Sequence, residues 1–145
     1  MNVFLADEAE TLAFAGRFFA ERVRPGWVVY LHGQLGAGKT TFVRGCLRAT
    51  GYQGIVKSPT YTLVEEYRLD NGLTLYHFDL YRLNDSSELE WMGIRDYFRP
   101  DSIAFIEWPE RGAGLLPAPD AEVALKPQGQ GRVIGLTEAS STTAD

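Results

Sequence analysis

Apolar side chains recur at spacings of three and four from Asp7 to Val23, through Leu12, Ala15, Phe18 or Phe19 and Val23, which predicts an amphipathic helix. Asp7 followed by Glu10 has the spacing of a capping box, and Pro25-Gly26 stops the helix. The period then changes. Trp27 to Leu31 is a nearly continuous apolar run, as expected of a strand buried on both faces. After a glycine-rich interval the helical period returns over Lys39 to Thr50, with Phe42, Val43, Cys46 and Leu47 on one stripe and Gly51 as the stop.

Gly54 to Tyr61 reads as a loop, because Pro59 holds Ser58 extended. Thr62 to Leu69 and Leu73 to Leu80 flank Asp70-Asn71-Gly72, a strong hairpin signal. Asp85 and Glu88 again have capping-box spacing, so a helix is expected from Asn84 through Trp91 towards Phe98, ended by Arg99-Pro100. Leu89, Met92 and Tyr97 are assigned to the core, and Trp91 to either core or partner surface. Ile103 to Ile106 is a buried-strand run ending in Glu107. Beyond Pro109 the text is loop-like, and Ala121 to Lys126 with Arg132 to Thr137 make a closing hairpin. The alternation of strands and helices predicts an α/β domain over 1–138 without internal repeats. Residues 139–145 are small and polar and are expected to be a flexible tail.

Composition narrows the class. The chain has 145 residues, 45% hydrophobic and 23% charged, the balance of one soluble globular domain. No stretch approaches the roughly 18 apolar residues of a membrane span. The N-terminus lacks the pattern of a secretory signal, and a single cysteine, Cys46, leaves no internal disulfide, so a cytoplasmic location is expected. A net charge of −5 argues against a protein that coats nucleic acid by general electrostatics, without excluding RNA presented by a partner.

The interval between the first strand and second helix carries the clearest chemistry. Gly33, Gly38, Lys39 and Thr40 satisfy G-x-x-x-x-G-K-[ST], the phosphate-binding loop. Glycines let the loop curl so that backbone N–H groups point at phosphate oxygens, and the following helix offers its positive end to the same anion. Lys39 would reach the β- and γ-phosphates and the Thr40 hydroxyl would hold Mg²⁺. Glu107, at the end of a buried strand, is the candidate Walker B acid, because ligands in such folds occupy the crevice at the carboxyl ends of strands. Ser58, Thr60 and Lys57 sit where a γ-phosphate sensor is expected, a solvated turn being the alternative. In the hairpin's second strand His77, Asp79 and Tyr81 share one face, followed by Arg82. Satisfied hydrogen-bonding residues would give the same pattern, but the cluster makes Asp79 a candidate for orienting the attacking water, and His77, Tyr81 and Arg82 candidates for phosphate sensing or partner coupling.

Gly33 to Thr41, Lys57-Ser-Pro-Thr-Tyr61, His77-Phe-Asp-Leu-Tyr-Arg82, Glu88-Leu-Glu90, Gly93-Ile-Arg-Asp-Tyr97 and Ile106-Glu-Trp-Pro109, in this order, resemble the bacterial TsaE (YjeE) family, the ATPase of tRNA threonylcarbamoyladenosine biosynthesis. The resemblance covers nearly the whole chain apart from the tail. It implies a P-loop NTPase-like three-layer fold with a mixed central sheet between helices. It also implies slow ATP hydrolysis supporting the TsaD and TsaB subunits in modifying the tRNA adenosine next to the anticodon. By the same resemblance Gly36, Ala37, Gly38, Lys39, Thr40 and Thr41 bind phosphates, Thr40 and Glu107 hold Mg²⁺, Asp79, Lys39 and Glu107 serve catalysis, and Thr11 and Arg132 frame the base. Two rivals share the phosphate loop, a small-molecule kinase and a nucleotide-gated binding module. The loop from Pro109 to Pro119 has only Arg111, where a kinase usually carries an arginine-rich lid. No Asn-Lys-x-Asp, the usual guanine-reading signature, is present.

Overall fold

A computed structural model describes residues 1–139. Seven strands form one sheet: β1 (Asn2–Leu5), β2 (Val28–His32), β3 (Val64–Arg68), β4 (Thr74–Asp79), β5 (Ser102–Glu107), β6 (Ala121–Gln128) and β7 (Gly131–Glu138). Their order is β1-β7-β6-β2-β5-β4-β3. The four central strands, β6, β2, β5 and β4, run parallel, and β3, β7 and β1 extend the two sides by antiparallel pairing. All four parallel strands therefore end on one edge of the sheet.

Alternation along the central strands sorts the core into two layers. Val29 and Leu31 of β2, with Ile103 and Phe105 of β5, pack under α1 (Glu8–Arg22) and α2 (Lys39–Ala49). Val28 of β2, with Ala104 and Ile106 of β5, faces the other way, towards Leu83, Leu89 and Ile94. The last two lie on α3 (Ser87–Trp91) and on the 3-10 turn Ile94–Tyr97. The result is the α/β fold that the alternation of strands and helices predicts, in the three-layer form with a mixed central sheet that the family resemblance implies.

The start of α1 follows the capping-box reading: Asp7 Oδ1 accepts from the Glu10 amide at 2.9 Å, while Glu10 Oε1 accepts from the Ala6 amide at 2.8 Å. The helix expected from Asn84 to Phe98 does not form. Gly93, at φ 74°, turns the chain out of helical geometry, so one short helix and one 3-10 turn replace it. Asp85 instead accepts from the Ser87 amide at 3.0 Å. Trp91 is 89% exposed and belongs to the surface. β1 escaped the sequence reading because a four-residue strand is too short for its period to register. The closing hairpin forms, but β6 also pairs in parallel with β2, placing it inside the sheet. Glu138 is the last residue of β7 and pairs with Arg22 at 2.6 Å. Beyond Ala139, the expected tail lies outside the described residues.

The two long helices meet without room for a side chain at Gly45. A β-carbon there would lie 2.6 Å from the Leu12 carbonyl oxygen and 2.9 Å from the Ala15 β-carbon. Alanine would gain up to ~1 kcal/mol of helix propensity, but overpacking costs about 1–3 kcal/mol. Gly45→Ala should therefore lower the denaturant midpoint, and Gly45→Val should lower it further. Midpoints unchanged in both variants would show that α1 and α2 separate without cost.

Candidate active site

The sheet edge gathers the sequence-predicted residues through strand register. Leu31 of β2 and Asp79 of β4 both lie beside Glu107 of β5. From β2 the chain enters the glycine loop, where Gly33, Gly36 and Gly38 have φ values of 151°, 81° and 107° that side chains rarely adopt. A β-carbon on Gly33 would lie 2.8 Å from the Leu125 carbonyl oxygen, so β6 fixes the loop from below.

The loop ends at an N-terminus of α2 that the chain leaves open. The Phe42 amide is the first to bond back into the helix, to Gly38 O at 2.9 Å, so those of Lys39, Thr40 and Thr41 precede the intrahelical ladder. No side chain caps this end and its first turn holds no acid. At α1, by contrast, Asp7 caps and Glu8 and Glu10 lie in the first turn. An uncapped helix start with its positive dipole end exposed is a ready site for an anion.

Beside it lies a cavity of about 270 Å³ lined by Leu35, Gly36, Gly38, Lys39, Thr40, Thr41, Ser58, Thr60, Asp79 and Glu107. The Lys39 ammonium is buried, donates to the Gly33 carbonyl, and sits 3.4 Å from Glu107 Oε1 and 5.0 Å above the Trp108 ring. The other oxygen of Glu107 is 2.6 Å from His77 Nε2. Burial by itself would raise the Glu107 pKa. The hydrogen bond and charge of His77, joined by Lys39, reverse that and hold it below the ordinary carboxylate value. Glu107 thus stays an anion at pH values where a free carboxyl would begin to protonate.

Asp79 is also buried. Its Oδ1 accepts from the Tyr81 amide at 2.9 Å and its Oδ2 from Thr60 Oγ1 at 3.3 Å, and Thr60 is 2.7 Å from Ser58 Oγ. The Ser58–Thr60 loop is thereby tied to the end of β4. Thr40, Thr41, Ser58, Thr60, Asp79 and Glu107 bring side-chain oxygens to the cavity wall, the ligand type that hard divalent cations take. Among the described residues, the two non-glycine positions with positive φ, Leu63 at 74° and Trp108 at 57°, flank this wall. Such conformations cost on the order of 1–3 kcal/mol each and persist where surrounding contacts impose them.

Several candidates occupy other places. Ala37 is buried beneath the loop, with its amide bonded to Gln34 O at 3.1 Å. His77 lies behind Glu107 and is absent from the cavity wall. The Tyr81 ring packs against Trp108, centroids 5.0 Å apart. Arg82 is exposed and stacks on Tyr61 at 4.5 Å. Arg132 donates to Thr11 Oγ1 at 2.6 Å, and this pair lies outside the cavity lining. Sequence reasoning gave no role to Trp108 or Leu35, although Trp108 directly follows the strand-end acid in the Glu-Trp-Pro motif.

Residues 5–134 match the family described as "Threonylcarbamoyl adenosine biosynthesis protein TsaE". The chain is 53% identical over 141 residues to the tRNA threonylcarbamoyladenosine biosynthesis protein TsaE of Haemophilus influenzae, covering 94% of this chain and 88% of that protein. The protein of the same name from Bacillus subtilis is 40% identical over 120 residues, covering 83% and 73%. The crystal structure of Bacillus subtilis YdiB superposes with a TM-score of 0.79 at 30% identity, covering 98% of this chain and 87% of that one. The chain belongs to the TsaE family of tRNA threonylcarbamoyladenosine biosynthesis.

Proposed function

We propose that this chain is a Mg²⁺-dependent ATPase that supports threonylcarbamoylation of the tRNA adenosine next to the anticodon, acting with TsaD and TsaB. The observation that carries this reading is the open N-terminus of α2 beneath the glycine loop, with Lys39 and Glu107 facing each other beside it. A triphosphate satisfies the amides of Lys39, Thr40 and Thr41, and its charge draws the Lys39 ammonium away from the Gly33 carbonyl. Thr40 and Glu107 are the residues that would hold Mg²⁺, which neutralises charge on the phosphates when bound. Thr11 and Arg132 are the groups proposed for the base.

Hydrolysis asks mainly for positioning. Asp79, held by the Tyr81 amide on one oxygen and by Thr60 on the other, would orient a water at the cavity wall. Water oxygen bonds to the γ-phosphorus as the bond to the bridging oxygen breaks, and the water's proton passes to Asp79 or solvent, leaving ADP and phosphate. Among the described residues no arginine lines the cavity, and Arg82 is engaged with Tyr61. Transition-state charge is therefore only partly met within the chain, which supports slow turnover alone and stimulation by a partner. Leu35 and Tyr61, 59% and 82% exposed beside the cavity residues, offer apolar surface for such a partner to cover.

Two measurements test the reading. Asp79→Asn should keep fluorescent-nucleotide affinity close to the native value while phosphate release falls about 100-fold or more. Native turnover in that variant would remove Asp79 from the mechanism. Adding purified TsaB and TsaD should raise phosphate release, and tRNA modification by the assembly should require ATP. Turnover and nucleotide affinity that ignore both subunits would refute the partner-coupled role.

A further inference from the structure

His77 stands among the sequence candidates for touching phosphate or a partner, and its place in the fold excludes direct contact with either. The ring is fully buried on β4, paired in register with Phe105 of β5 and Glu65 of β3. Leu75, two residues earlier, packs in the layer under α1 and α2, so strand alternation puts His77 and Asp79 on that same face. On β5, Ile103 and Phe105 do the same for Glu107. An imidazole buried among apolar groups costs free energy unless it makes a hydrogen bond. His77 makes one, through Nε2 to Glu107 Oε2 at 2.6 Å, and its Nδ1 has no partner among the described residues. The ring's polar chemistry is thus spent on one carboxylate oxygen.

We propose that His77 is a positioning residue for Glu107: its Nε2–H pins Oε2, which fixes the carboxylate plane and leaves Oε1 turned towards Lys39 and the cavity as the oxygen available to a divalent cation. Without that bond Glu107 loses the partner on Oε2 and can rotate, or pair with Lys39 through both oxygens, which would withdraw both groups from the phosphate site. Ligands to metals are commonly oriented in this way by a second hydrogen-bonding residue, whose loss lowers metal affinity about 10- to 100-fold. The inference rests on the Mg²⁺-dependent reading above and extends it to a residue that does not touch nucleotide.

The test is binding of N-methylanthraniloyl-ADP, followed by fluorescence in EDTA and through a Mg²⁺ titration, with thermal unfolding as the check on folding. His77→Leu should bind the nucleotide in EDTA as the native protein does, but need about tenfold more Mg²⁺ to reach half the metal effect. His77→Gln, whose amide N–H reaches the position of Nε2, should restore the native titration. Should the leucine variant fail to fold, His77→Gln is compared with His77→Asn, whose amide ends one bond short; Gln should then match the native protein and Asn should not. A native Mg²⁺ response in His77→Leu, or equal impairment of the Leu and Gln variants, or equal behaviour of Gln and Asn, overturns the positioning role alone. A native protein whose nucleotide binding ignores Mg²⁺ overturns the Mg²⁺-dependent reading and this inference with it.

Discussion

Three polar side chains, Lys39, Glu107 and His77, lie buried in a row at the carboxyl edge of the sheet, and much of the surrounding structure serves to keep them together. A charge withdrawn from water is tolerated only where partners and hydrogen bonds replace its hydration. Lys39 comes from the first turn of α2, Glu107 from the end of β5 and His77 from β4. The three elements are therefore bound into one register. Shifting β4 by one residue against β5 would move His77 away from Glu107 and turn Phe78 towards α2. The polar row thus disfavours register errors that a purely apolar β4 would tolerate.

The same edge is where the backbone departs from easy geometry. Trp108 leaves the strand at φ 57° immediately after Glu107, which brings its ring under the Lys39 ammonium and against Tyr81. Leu63, at φ 74°, accepts the Asp79 amide at 3.0 Å, while its own amide bonds to Pro59 O at 2.9 Å. These contacts hold the Ser58–Thr60 loop against Asp79. Strain of this kind adds nothing to the core, and its position on both sides of the cavity wall ties it to the arrangement of the polar groups.

Legibility from sequence followed the range of the physics involved. The cap of α1, the glycine loop, the β3–β4 hairpin and the strand ending in Glu107 are each specified by residues within a few positions of one another, and all four were read from the text. What depended on distant partners was not. β1 forms because β7 offers Gly135 to Arg132 as a ladder, and β6 lies in the sheet because β2 has a free side. The helix expected after Asn84 failed at Gly93, a local breaker that a promising capping pattern upstream had outweighed. Among the site residues, Lys39, Asp79 and Glu107 were placed by motif and by strand-end logic. The burial of His77 was not, because a period of two tells which face a side chain takes and says nothing of what covers that face.

The resting position of Lys39 gives the site its electrical logic. Its ammonium is satisfied by the Gly33 carbonyl, by Glu107 and by the face of Trp108. On the function proposed above, a phosphate would compete with all three, so part of its binding energy would go into moving the lysine. Glu107 would be left with one partner fewer, and its negative charge would become the natural seat of a cation arriving with the phosphates. His77 holds the second oxygen throughout, so the carboxylate need not reorient when Lys39 departs. On that function, one cationic partner would be exchanged for another around a fixed carboxylate, with the buried histidine as the stationary member of the site.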